Sequence, residues 1–515
     1  MNLRIKKILL LLLAAALLAG SGRMQNVLNR DRERLGLTRM NALENAPPIL
    51  AFTTVALGGF RGLIANALWI RANDLQQEDK LFEAAQLATW ITDLEPHFAQ
   101  VWAFQAWNMA WNISVKFKEN AAGVYADRWR WVVNGIELLR DYGLRYNPDD
   151  TLLYQQLGWI FQSKMGQSLD DGNVYYKKQW AEEMTPFFGA HGTNFSELLN
   201  PSTAADRTNA LMLRDKYKID PKFAQQVDAQ YGPLDWRLPE AHAIYWGARG
   251  LDAAKRNPDK VKADDLITLR RLIYQSMLQA FHHGRKIDDP YSTQFMLEPN
   301  LDMVAKANDA YLFFMNEDRS SSNNIATAHR NFLTDAVYFL YGSNRSGEAA
   351  KWYKLLGERY PDKIILEHDT NSFPRNLTLD EYAVGRVQDE IGDTSLVRTT
   401  AVIENYLTGS YYSLALDQDD RSVGLKNLAR KVYDNYAKKM PEQRVALPPW
   451  DELNRSVLKK LLDPQEGLPY AARLQIRSDL GWSAETNAPV VSSTNLPPVS
   501  ATNTVKNIPA KTPVD

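Results

Sequence analysis

From about residue 60 to residue 480, apolar side chains recur at steps of three and four, interrupted by proline, glycine and Asp/Asn turns. That spacing predicts a succession of amphipathic helices. No run of alternating β-branched residues is long enough to build a sheet, so the expected fold class is all-α. The helices come in pairs closed by a proline. Leu68–Leu75 is followed by Leu81–Ala88 and then Glu95-Pro96, after which a new helix opens with Trp102, Ala106 and Met109. Asn147-Pro148 precedes Tyr154-x-x-Leu157-Gly158-x-x-Phe161, and a further unit runs from His329 to Tyr360-Pro361 with Leu333, Ala336, Val337 and Leu340 on its first helix. Its second helix carries the small Ala349 and the aromatic Tyr353. Small residues let two helices approach, large ones fill the gap that is left, and proline stops the second helix so that the next begins.

The spacing of Tyr154, Leu157-Gly158 and Phe161, together with Ala349, Tyr353 and Pro361, resembles the tetratricopeptide-repeat family, and more loosely exported bacterial proteins that carry such repeats behind a signal segment. The resemblance covers residues 63–165 and 326–361. It implies a degenerate α-solenoid of helix hairpins that holds partners and does not catalyse. Pro96 and Pro148 lie 52 residues apart, against ~34 for a standard repeat, which points to an insertion around Lys116–Ala126. Residues 162–237 cannot be phased. Pro239–Leu251 with Asp264–His283 reads as an irregular pair, and helices expected near 378–391, 395–416, 420–439, 449–462 and 468–480 form a C-terminal cap. The expected organisation is a signal peptide or membrane anchor (1–21), N-terminal repeats (22–165), an irregular region (166–325), one repeat unit (326–361), a C-terminal helical region (362–482) and a disordered tail rich in Ser, Thr and Pro (483–515).

If the register of the family holds, Trp69, Asn73, Trp107, Trp111, Trp159 and Gln162 lie on first helices near the concave face, where repeat proteins take up extended segments. Tryptophan suits that role because it offers a large apolar area with few rotors to freeze. The alternative is that the tryptophans pack between repeats.

Arg4, Lys6 and Lys7 precede an apolar run from Ile8 to Ala19 and then Gly20-Ser21-Gly22, the layout of a secretory signal. A helix over that run is roughly 18 Å long, short of the ~30 Å hydrocarbon slab, which favours cleavage near Ser21 over retention as an anchor. Ser21 stands where a lipidated cysteine would be required. A second apolar stretch, Ile49–Ile70, contains Arg61 beside Gly58, Gly59 and Gly62, which argues for a buried first helix over a span, with a membrane-apposed hairpin as the other reading. The body is therefore expected outside the cytoplasm, periplasmic or membrane-anchored, with a protein or peptide partner in the cell envelope.

Charge and chemistry narrow the field further. With 60 basic and 61 acidic residues there is no positive field to gather nucleic acid. With no cysteine, there are no disulfides, thiolate metal sites or cysteine nucleophiles. Phosphate-cradling Gly-Lys loops, His-Glu-x-x-His helices and Gly-x-Ser-x-Gly elbows are absent from the sequence, so no cofactor, metal ligand or catalytic residue is nominated. His282-His283 point about 100° apart on a helix and read as capping residues, not chelators. Asp170-Asp171-Gly172-Asn173 and Asp417-Gln418-Asp419-Asp420 lack the ligand order of a calcium loop and read as turns beside helices. A second function class stays open: 14 tryptophans and 23 tyrosines also suit a periplasmic all-helical carbohydrate-active enzyme or glycan-binding protein, which needs paired carboxylates beside exposed rings.

Overall fold

The computed structural model describes residues 60–120, 124–292, 294–391, 396–439 and 446–483, with scattered positions between 20 and 31. Residues 1–19, where a secretory signal is expected, residues 49–59 of the second apolar stretch and the residues beyond 483 lie outside the described residues. The described chain is mostly helical, as its periodicity predicts. The only strands among the described residues are Arg285–Ile287 and Met296–Glu298, a short antiparallel pair in register Lys286 to Leu297. No helix among the described residues is long and apolar enough to cross a membrane. The fold divides into two units, residues 1–280 and 281–515.

In the first unit, α1 (Phe60–Gln77) and α2 (Leu81–Leu94) form a tight hairpin. Ala65, Ala88, Ile91 and Val101 make its core, with Leu68, Trp69, Phe98 and Phe104 packed against them. Next come α3 (Ala99–Trp107) and α4 (Ala126–Glu137), then α5 (Thr151–Trp159) and α6 (Asn173–Phe188). Helices α3, α4 and α5 each run on without a break into a π turn, at Asn108–Ile113, Leu138–Gly143 and Ile160–Gly166. Both helices between Pro96 and Pro148 are thus long, which accounts for the 52 residues between the two prolines. Three further helices, α7 (Ser196–Leu199), α8 (Ala204–Asp215) and α9 (Pro221–Tyr231), occupy the part of the sequence that resisted phasing. A capping box between Thr203 and Asp206 starts α8, and Asp220 caps α9.

The unit closes with α10 (Pro239–Arg256) and α11 (Ala263–His283), whose last residues belong to the second unit. Helices α5, α10 and α11 pack against one another, and glycines set the distances between them. A Cβ on Gly158 would sit 2.5 Å from Leu272 Cδ2 and 3.3 Å from the Ala243 carbonyl oxygen; one on Gly250 would sit 2.6 Å from Leu269 Cδ2.

One bond recurs along this unit. The Trp102 indole Nε1 donates to the Pro96 carbonyl (2.9 Å), the Tyr154 hydroxyl to the Pro148 carbonyl (2.8 Å), and His242 Nε2 to the Trp236 carbonyl (2.9 Å). In each case a ring at the fourth residue of a helix (α3, α5, α10) ties down the chain entering that helix, six residues earlier. Helices α3, α5 and α10 are also neighbours in that order.

The second unit contains α12 (Val304–Glu317), the hairpin of α13 (Ser322–Gly342) and α14 (Ser346–Arg359), and then α15 (Leu379–Ile391), α16 (Leu396–Ala415), α17 (Asp419–Lys439), α18 (Trp450–Leu461) and α19 (Tyr470–Asp479). The last five, α15 to α19, agree with the helices expected from the sequence to within two residues at each end, whereas α13 begins seven residues before His329. Ala349 is fully buried on α14, and Tyr382 is fully buried with its hydroxyl donating 2.8 Å to the Thr334 carbonyl.

Candidate functional site

The six residues singled out from the sequence fall into three groups. Trp69 is half-buried in the first hairpin, its ring 4.9 Å from Phe104 and 5.9 Å from Phe98, and Asn73 follows one turn later on the same helix, also half-buried. Trp107, Trp111 and Trp159 are all half-buried, and the structure brings two of them together: Trp111 and Trp159 stack at 4.5 Å with 19° between their planes. Gln162 requires a correction. It is 3% exposed and donates 3.2 Å bonds to the Leu272 carbonyl and Ser276 Oγ, so it serves the packing of α5 on α11 and reaches no open face. The π turn after Trp159 is the reason. Its wider turn changes the angular step between residues, so Ile160, Phe161, Gln162, Lys164, Met165 and Gly166 all turn inward where a regular helix would expose some of them.

That inward turn leads to a concentration of buried charge that the sequence reading passed over. Lys164 and Arg128 both reach Asp170, Arg128 at 3.3 Å, and the carboxylate also accepts from the Gly172 amide (2.8 Å) and the Tyr176 hydroxyl (3.0 Å). Burial works against the charge on both partners of the Lys164–Asp170 pair. It prevails for Lys164, whose pKa falls below the usual lysine value, whereas the bonds from Lys164, Gly172 and Tyr176 outweigh it at Asp170 and pull the carboxyl below its ordinary value. Asp170 is thus an internal counter-ion beside the start of α6, which accounts for the acidic turn at 170–173.

On the other side of α6 lies Lys177, whose Nζ is 3.8 Å from Glu240 Oε1. Glu240 is 1% exposed, and apart from its own backbone amide neither of its oxygens has a hydrogen-bond partner. Burial drives its pKa up, against the pull of Lys177. The Gln279 Oε1 atom is likewise buried and unpartnered, and both it and Glu240 Oε1 border Gly166. Two residues on from Glu240, His242 is fully buried between Phe161 (5.4 Å) and Trp180 (5.0 Å). Its Nε2 proton is committed to Trp236, its Nδ1 is unpartnered, and burial lowers its pKa to about 4.

The strand of chain that carries these groups is locked in place. Asp235 and Arg237 form a buried two-pronged pair, Nε to Oδ1 at 2.8 Å and Nη2 to Oδ2 at 2.7 Å, and Arg237 also reaches the Ala190 carbonyl. The Trp236 amide donates 2.9 Å to the Gly192 carbonyl. Gly192 has φ +70°, and a Cβ there would fall 1.9 Å from Asp235 Oδ1, so only glycine fits. A readable signal existed in the sequence: in Asp235-Trp236-Arg237-Leu238-Pro239-Glu240-Ala241-His242, charged and bulky apolar residues alternate with no stripe that leaves the charges on an outer face.

The second unit has a cleft of ≈ 400 Å³ bordered by Asp369, Asp380, Glu381, Asp434, Lys431 and Lys438 among others. Its carboxylates are largely engaged: Asp380 with Lys431 and Tyr341, Glu381 with Thr378, Asp434 with Arg430. No aromatic ring lines it, so it lacks the ring platform that a glycan site calls for. His282 Nε2 meets Asp335 at 3.1 Å in the last turn of α11, and Arg386 holds the other Asp335 oxygen at 2.9 Å. No cluster of three metal-ligating side chains occurs among the described residues.

Compared with known protein families, curated proteins and solved structures, the chain finds no significant match.

Proposed function

We propose that this chain is an exported cell-envelope scaffold, a degenerate tetratricopeptide-type solenoid that holds a protein or peptide partner along its first helices. The observation that carries the reading is the recurring ring-to-carbonyl bond: Trp102, Tyr154 and His242 occupy the same position on α3, α5 and α10, which lie side by side. Equivalent residues in equivalent places on adjacent helices are what a stacked repeat produces. The stacked, half-buried Trp111 and Trp159 are the anchor offered to the partner, since a rigid aromatic pair loses little conformational freedom on binding. Export rests on the basic and apolar order of residues 4–19.

The test is in-cell crosslinking of the full chain followed by identification of captured envelope proteins. A defined protein captured by the wild type and lost in the Trp111→Ala/Trp159→Ala pair, with folding intact by circular dichroism, is the expected result. An unchanged capture profile in the double variant overturns the role of the pair.

A further inference from the structure

The polar centre of the first unit contains a set of atoms that the protein does not satisfy by itself. Both oxygens of Glu240 and Oε1 of Gln279 are shut off from solvent, and no other residue hydrogen-bonds to them. Leaving such atoms bare is costly, which is why native interiors pair nearly all of them, in part through enclosed water. We propose that Glu240, Gln279 and Lys177 form an internal binding site for a small uncharged molecule that both donates and accepts hydrogen bonds.

Three features define the guest. Glu240 Oε1 and Gln279 Oε1 lie 3.5 Å and 2.8 Å from where a Cβ of Gly166 would stand, so the two acceptors are near enough to each other for one small molecule to reach both. Lys177 Nζ stands 3.8 Å from Glu240 Oε1, close enough for ion pairing and too far for a direct hydrogen bond, so it is a donor for a bridging group. The lysine and the carboxyl balance each other, so a guest of either sign would introduce an uncompensated charge into a closed interior. Water has this chemistry, and so does a retained hydroxyl- or amide-bearing metabolite. Gly166 belongs to the site as well, because a Cβ there would press on Gln279 Oε1 and the Phe161 carbonyl (3.1 Å) and drive the two acceptors apart.

The test begins with a high-resolution crystal structure of the full chain. Density bonded to both Glu240 and Gln279 is expected; a direct Glu240–Gln279 or Glu240–Lys177 hydrogen bond with nothing between them overturns the site. Mass spectrometry of small molecules released on unfolding then separates the sources, a stoichiometric compound identifying a metabolite and its absence identifying solvent. Gln279→Met gives an independent reading, since it removes the acceptor at nearly constant volume. With a guest donating to Gln279 the variant's Tm falls by about 2–4 °C; a rise in Tm shows that the amide was merely unsatisfied and sinks the proposal.

Discussion

His242 shows most directly how one buried side chain governs the behaviour of the whole unit. Its Nε2 proton is fixed by the Trp236 carbonyl, so acid must protonate Nδ1, which faces a closed interior. The folded pKa of about 4 lies below the ordinary 6.5. Between these values the unfolded chain binds more protons than the folded one, so stability rises with pH across pH 4 to 6.5 and is lost again on acidification. The full shift corresponds to roughly 3 kcal/mol. His329, also lowered to about 4 by burial, and held by Asn308 (3.0 Å) and Tyr360 (2.9 Å), acts in the same direction in the second unit. Urea denaturation from pH 4 to 7 is expected to show this rise, with a shallower slope in His242→Phe, which keeps the ring contacts and removes the titration. Glu240 has the opposite sign. Its folded pKa is raised, so the stability it contributes is present below the ordinary carboxyl value and is lost as pH climbs. The change in urea midpoint on Glu240→Gln is therefore expected to be more favourable at pH 8 than at pH 4, whatever the loss of the Lys177 pair costs at both; an equal change at both would show that the carboxyl does not titrate differently in the fold.

At the scale of elements, the helices were legible in the sequence, while the polar centre left no mark beyond the mixed stretch from Asp235 to His242, and the reason lies in how each is encoded. Helices such as α16 and α17 announce themselves by repeated three- and four-residue steps, a signal spread over some twenty positions. Prolines 96, 148 and 361 mark helix-pair ends because proline cannot continue a helix. Gln162 was misplaced because a π turn leaves no mark in a pattern built on regular turns, and a single widened turn reassigns every side chain after it. Glu240 and His242 escaped notice for a different reason: in a sequence a charged residue reads as exposed, and its burial depends on Lys177 and Trp236, which no local pattern connects to it. The recurring ring-to-carbonyl bond gives a direct check on the proposed repeat. Tyr154→Phe removes one bond at a nearly buried position and is expected to cost about 1 kcal/mol in chemical denaturation. Gly158→Val acts on the same helix through sterics, forcing methyls toward Leu272 and the Ala243 carbonyl, and is expected to cost about 1–3 kcal/mol. Leu272→Ala in the Gly158→Val background should recover part of that loss if the clash is the cause; additive losses would place the effect elsewhere.

For the whole molecule, near-neutral charge and the layout of its first residues lead to a separable prediction about location. A net charge of -1 provides no electrostatic pull toward an anionic membrane surface, and no helix among the described residues is apolar enough to span one. On the proposed export, targeting is assigned to the basic and apolar order of residues 4–19, with the apolar stretch from Ile49 as the other contributor. Deleting residues 2–19 is accordingly expected to leave the protein in the cytoplasmic fraction of its host, while the urea midpoint stays that of the full chain, because the core residues among those described all lie beyond Phe60. Since the sequence has no cysteine, cytoplasmic retention brings no change in disulfide state that would confuse the comparison. Envelope fractionation of the deletion variant decides between the two contributors. Loss of export assigns targeting to residues 4–19; continued membrane association that resists high salt assigns it to the stretch from Ile49, since salt releases a body held by surface charge and leaves one held by apolar contact in place.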